Sequence, residues 1–336
     1  MNSSNRIALD TLTALATSAL VNSNTSDSNA KIVATALVAA DADGLASHGV
    51  SRVPFYADQA ASGKVDGHRA PILEQHAAAA IRIDAADGFA FPAIRLGLDR
   101  AVEVARDAGV AALTIGNSHH CGALGYHVES VAEHGLMALG FSNSPAGIAP
   151  WGGTRGSFGT NPIGFACPRG EDPPLVVDLS LSAVARGKIM LAEQRGEPIP
   201  EGWALDAEGR ATSDPRAALA GTMVPIGGAK GSALAMTVEL LTAALAGANF
   251  AFEASSFFTA EGPPPRIAQT FIVLNPAAFG GRTFLERVEA LVADVLSQPG
   301  TRLPGERRLR NRAAARADGV VIGDELLAAL RRRAGA

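Results

Sequence analysis

The sequence predicts an α/β protein in which strands and helices alternate through the middle of the chain and helical segments lie at both ends. Three observations lead to this. From about residue 76 short apolar runs rich in Val, Ile and Ala alternate with longer runs of helical period. Residues 8–41, 284–296 and 324–333 carry the helical period without strands between them. No Gly-x-Gly-x-x-Gly links a strand to a helix, so the alternation lacks the mark of a Rossmann unit.

Taken in order, residues 8–21 and 27–41 read as helices, the second opened by Ser26 or Asp27 and carrying Ile32, Val33, Leu37 and Val38 at helical spacing. Asp43-Gly44 breaks it. Pro54 fits only the first turn of the helix that follows. Residues 79–83 read as a strand, 92–108 as a helix, 110–115 as a strand, 125–134 as a helix and 136–142 as a strand. Residues 144–168 are rich in Gly and Pro, show too little periodicity for core elements, and read as a long structured loop of the kind that carries function. Beyond them come a strand over 176–180, a helix over 183–193, a strongly apolar helix over 231–246, a strand over 270–275, and amphipathic helices over 284–296 and 324–333. With no repeat and no low-complexity linker, the chain is expected to cross between its domains.

Composition narrows the function classes. At 336 residues the chain is long enough for two domains and a large core, and with aromatics at 5% that core must be built from small aliphatic side chains. A net charge of −4 provides no global attraction to nucleic acid or anionic lipid. The basic run from Arg302 to Arg316 has no interleaved aromatics for base stacking. Cys121 and Cys167 are too few for a disulfide framework and are not spaced as metal ligands. Met1–Asn5 lacks the blocks of a signal peptide and no apolar stretch is long enough to span a bilayer. The expectation is a cytoplasmic enzyme with no metal, nucleic-acid or membrane partner.

The chemistry concentrates in the run Ala46-Ser47-His48-Gly49-Val50-Ser51-Arg52. His48 titrates near neutrality and can exchange a proton with a developing alkoxide or amine; Ser47 can orient it; Arg52 can clamp a carboxylate through two parallel hydrogen bonds. Reduction of a keto or imino acid needs such a trio.

That run, with Asn117-Ser118-His119-His120-Cys121-Gly122, Gly159-Thr160-Asn161-Pro162, Asp178 through Gly187, Gly228-Ala229-Lys230-Gly231 and Arg302-Leu303-Pro304-Gly305-Glu306, resembles the type 2 malate/L-lactate dehydrogenase family along nearly the whole chain. The resemblance implies a non-Rossmann fold in which a central mixed-sheet domain, residues 76–279, binds cofactor and substrate. A helical domain would be built from both termini, residues 1–75 packing with 280–336. It implies a homodimer that binds NADPH, with NADH possible. His120, Cys121, Gly122, Ala123 and Leu124 would hold the pyrophosphate and nicotinamide. Asp178, Leu179, Ser180, Lys230 and Gly231 would complete the cofactor site, with Arg302, Leu303, Pro304, Gly305, Glu306 and Arg307 at the adenosine end.

For the substrate, the same resemblance makes His48 the proton donor, coupled to Ser47, with Arg52 and Thr160 on the carboxylate and Arg186 and Gly187 beside it. In the Δ1-piperideine-2-carboxylate/Δ1-pyrroline-2-carboxylate reductase branch, which the chain most resembles, an aspartate completes a relay where Lys188 stands here. Lys188 is expected to depress the pKa of His48. The pair Phe257-Phe258 is shared with that branch and suits the wall of a ring pocket or plain core packing. The expected substrate is a cyclic imino acid reduced at C2 to L-proline or L-pipecolate. The alternative is a 2-hydroxy acid or its keto acid: malate, lactate, ureidoglycolate or a sugar-derived acid.

Overall fold

A computed structural model describes residues 5–336. Strand β1 (Asn5–Ile7) leads into α1 (Leu9–Val21) and α2 (Asp27–Ala42), and the Ser26 side chain caps α2 by accepting from Asn29 N. Two short 3₁₀ turns, Ala46–His48 and Val50–Arg52, precede α3 (Val53–Ser62), whose first turn holds Pro54. There follow β2 (Ile72–Ala77), β3 (Ala80–Asp84), α4 (Ala90–Ala108), β4 (Val110–Ser118), α5 (Leu124–Ala132), β5 (Met137–Ser142), β6 (Ile163–Cys167) and β7 (Leu175–Leu179). Then come α6 (Arg186–Arg195), β8 (Ala204–Leu205), β9 (Ala211–Thr212), α7 (Pro215–Ala220), β10 (Thr222–Met223) and α8 (Ala229–Glu239), which runs on into a π turn over Leu240–Ala244. The chain closes with β11 (Ile267–Leu274), α9 (Thr283–Leu296), α10 (Glu306–Asp318), β12 (Val320–Ile322) and α11 (Asp324–Ala334).

The main sheet has seven strands in the order β2-β3-β4-β11-β5-β6-β7, with β3 and β4 parallel and every other pair antiparallel. Helices α4 and α5 cover it through Ile94, Leu98, Leu124 and Val128, which pack on Ile83, Leu113, Ile115 and Phe271. A second core joins α1, α2 and α3 to α11, with Leu12, Leu20, Leu37, Tyr56, Leu327 and Leu330 buried in it. Across it β1 pairs antiparallel with β12, Asn5 opposite Ile322, so the two ends of the chain are one structure. Helix α9 stands apart from that core and is held to the turn after β6 by the bidentate pair Arg169–Glu289 at 3.0 and 2.7 Å.

Two sequence expectations are corrected. Residues 144–168 contain β6, an inner strand of the main sheet, with Ala166 and Cys167 buried. Its glycine is there because α5 comes close: a Cβ on Gly164 would lie 3.0 Å from Leu124. The basic run from Arg302 to Arg316, given no element in the sequence reading, becomes helix α10 from Glu306 onward, with residues 302–305 as a loop before it.

Candidate active site

Three local bonds shape the run around His48. Ser47 Oγ lies 3.0 Å from His48 Nδ1. Arg52 Nε donates to the Ser47 carbonyl at 2.7 Å, and Val50 N donates to Asp41 at the end of α2. The Phe258 ring supports the Arg52 guanidinium 4.8 Å from its centroid. Arg52 Nη1 is buried and has no partner in the protein. An always-charged donor left open in this way marks a place for an anion.

His120 stacks on His48, ring centroids 5.7 Å apart. Fully buried Tyr56 places its hydroxyl 2.6 Å from His120 Nδ1. His119 bonds Gln59 at 2.7 Å, and the Gln59 amide donates in turn to the carbonyls of Phe257 and Thr259. Lys64 donates to the carbonyls of Ser256, Thr259 and Glu261. This strap, residues 256–261, separates the two phenylalanines: Phe257 packs on His119 and His120, whereas Phe258 is 48% exposed over Arg52. Tyr56, Gln59 and Lys64 escape sequence reasoning because they act through contacts with distant segments.

Burial, and then the Arg52 charge, lower the His48 pKa to about 4, so the ring is neutral at physiological pH. Lys188, expected to do this, is exposed in the first turn of α6 and is not among the groups acting on His48. Arg186 beside it donates to the Leu219 carbonyl, and Gly187 is exposed. Thr160 makes no hydrogen bond to the His48 run among the described residues: its N donates to Ser144 Oγ at 3.0 Å, its hydroxyl lies 3.3 Å from that same oxygen, and its carbonyl accepts from Leu181 N.

Half of the residues expected to hold a dinucleotide line one cavity of about 510 Å³. Ala123, Asp178 and Arg302, Leu303, Pro304, Gly305, Glu306 and Arg307 line it, together with Arg308. At its wall α5 begins on Ala123 without a side-chain cap, and the amide of Gly125 donates to Asp178 at 2.7 Å. Arg308 points two buried nitrogens, Nε and Nη2, at no protein partner. The orphaned guanidinium donors, beside a helix N-terminus of which the Gly125 amide is already taken by Asp178, fit a phosphate of a dinucleotide. His120, Cys121, Gly122 and Leu124 lie on the segment entering that wall, and Leu179 and Ser180 follow Asp178. Lys230 and Gly231 lie in the first turn of α8 and do not line the cavity.

The chain is an NAD(P)-dependent oxidoreductase built without a Rossmann unit, as its sheet and its relatives show. A family model described as malate/L-lactate dehydrogenase matches residues 7–331, and the chain belongs to that family. It is 56% identical over 279 residues to (2R)-3-sulfolactate dehydrogenase (NADP(+)) of Chromohalobacter salexigens, covering 83% of each protein. It is 43% identical over 315 residues to Δ1-pyrroline-2-carboxylate/Δ1-piperideine-2-carboxylate reductase of Pseudomonas putida, covering 92% of this chain and 91% of that protein. The crystal structure of Δ1-piperideine-2-carboxylate reductase from Pseudomonas syringae superposes with a TM-score of 0.93 at 40% identity, over 98% of this chain and 99% of that one.

Proposed function

We propose that the chain is an NADP-dependent dehydrogenase interconverting a 2-hydroxy acid that bears a second anionic group, of the 3-sulfolactate type, with its 2-oxo acid. The observation that carries this is the 56% identity to a sulfolactate dehydrogenase. It promotes the sequence's second reading over its first. Lys188 supports the same choice: where the imine branch is expected to have an aspartate, this chain offers an exposed lysine, in no ion pair among the described residues. Reduction of a cyclic imine stands as the second reading, favoured by the identity to the Pseudomonas reductases and by Phe258 walling the site.

In this reading the substrate carboxylate takes the open edge of Arg52, whose other edge is fixed by the Ser47 carbonyl and the Phe258 ring. Thr160 offers a hydroxyl to the same carboxylate. His48, neutral above about pH 4, accepts the proton of the C2 hydroxyl on Nε2 while Nδ1 faces Ser47. In the opposite direction Nε2–H gives that proton back, and the exposed Ser47 hydroxyl connects Nδ1 to solvent. A dinucleotide held in the cavity would supply the acceptor, or in reverse the donor, for the hydride at C2. Arg302, Arg307 and Arg308 give its adenosine end a density of fixed charge suited to a 2′-phosphate. A homodimer is part of the reading, supported by the exposed apolar residues Leu234, Leu240, Leu245 and Phe252 on and beside α8.

The test follows the loss of reduced nicotinamide with 3-sulfopyruvate, oxaloacetate, pyruvate, Δ1-pyrroline-2-carboxylate and Δ1-piperideine-2-carboxylate, each with NADPH and NADH. Sulfopyruvate is expected to be turned over with the highest kcat/KM, and NADPH preferred. Turnover confined to the two imines reverses the order of the readings.

A further inference from the structure

A strained loop joins Thr160 to a buried acid. Asn161 holds a φ of +41°, in the left-handed region that non-glycine residues seldom occupy. A Cβ on Gly159 would come within 2.3 Å of the Ser144 carbonyl oxygen. The segment around Thr160 therefore has no slack, and something must hold it. What holds it is Glu239, 4% exposed, at the last residue of α8. One carboxylate oxygen accepts from Asn161 Nδ2 at 2.9 Å and Gly159 N at 3.4 Å. The other accepts from Asn143 Nδ2 and Ala251 N, each at 3.2 Å.

Four N–H donors point at this carboxyl, and an ionised carboxylate is the state that accepts from all four. Immediately after it the helix widens into the π turn, whose Leu241 carbonyl takes the Thr270 hydroxyl at 2.6 Å. Such turns recur at functional sites. Nothing in the mechanism above uses Glu239.

We propose that Glu239 is a positioning residue for the substrate: its carboxylate pulls the 159–161 loop against the turn at Ala251 and thereby sets where the Thr160 hydroxyl stands. The proposal rests on the reading that Thr160 contacts the substrate carboxylate. Protonating Glu239 would turn an acceptor into a donor facing N–H groups and release part of the loop. Burial raises its pKa above the usual carboxylate range, against the bonds from Asn161, Asn143, Ala251 and Gly159. The groups facing it are the amides of Asn143 and Asn161 and the backbone of Gly159 and Ala251. On the same turn the exposed Glu253 is engaged by Phe250 N at 2.9 Å, and no cation among the described residues bonds Glu239.

The experiment compares wild type, Glu239→Gln and Thr160→Val, measuring KM for the acid substrate, KM for the dinucleotide and kcat across mildly acid to neutral pH, with the thermal midpoint of each. Wild-type KM for the acid is expected to climb on acidification. Glu239→Gln should raise it about tenfold at neutral pH, as loss of a buried charged acceptor predicts, and flatten its pH dependence. Dinucleotide KM should stay unchanged in both variants. An unshifted KM in Glu239→Gln beside a raised one in Thr160→Val overturns the role of Glu239. An unchanged KM in Thr160→Val overturns the substrate-loop reading instead. Should Glu239→Gln not fold, a pH-independent KM in the wild type overturns the proposal by itself.

Discussion

Arg52 and His48 can be separated by their kinetic signatures. Lysine cannot take up both the Ser47 carbonyl and a substrate carboxylate, nor lie flat on Phe258, so Arg52→Lys is expected to raise the substrate KM with little change in kcat. His48→Ala should instead lower kcat by a factor on the order of 10² to 10⁴, with dinucleotide affinity retained. Steady-state kinetics with a dinucleotide binding titration separate the two; an unchanged kcat removes His48 as the proton-exchanging group. These two residues were legible in the sequence because the hydrogen bonds that orient them run within one six-residue stretch. Glu239 was not, since its partners Asn143 and Asn161 lie 96 and 78 residues away and a glutamate in an apolar helix carries no sign of them.

The elements around the cavity are joined by buried charge. Arg312 on α10 makes a bidentate pair with Asp43, at the end of α2, at 2.7 and 2.8 Å, and also bonds Glu129 on α5. Burial opposes the charge on Glu129, but Arg312 and Arg308 outweigh it and hold the carboxyl below its usual range. Arg312→Met would leave two carboxylates buried without their main partner and should cost about 3 kcal/mol, seen as a lower midpoint in denaturant. A change within about 0.5 kcal/mol would show instead that the pair only breaks even with an apolar replacement. At this scale sequence reading did well on long periodic helices and poorly on β6 and the small strands β8, β9 and β10. The small strands are two residues each, too short to show an alternation. In β6 the close approach of α5 requires glycine where a β-branched residue would have announced a strand.

Across the whole molecule, burial keeps several imidazoles neutral. His48 and His127 are lowered to about 4 and His119 to about 3, and His120 also lies well below its ordinary value, in each case chiefly by burial. Between about pH 4 and 6.5 the unfolded chain binds these protons and the folded one does not, so stability rises with pH through that window. Asp41, raised to about 6 by burial, works the other way and offsets part of the slope. The thermal midpoint should therefore fall steeply below about pH 6, and a flat profile from pH 7 to 5 would contradict the burial of these rings.

The pairing of β1 with β12 has a consequence for synthesis on the ribosome. Arg6 bonds the carbonyl of Gly319, 313 residues downstream. Helices α1 and α2 leave the exit tunnel well before α11, which carries residues that finish their apolar core. At roughly 5–20 residues per second, Leu12, Leu20 and Leu37 wait on the order of tens of seconds for their partners. The nascent amino-terminal helices are thus the segment most in need of a chaperone while the sheet behind them assembles.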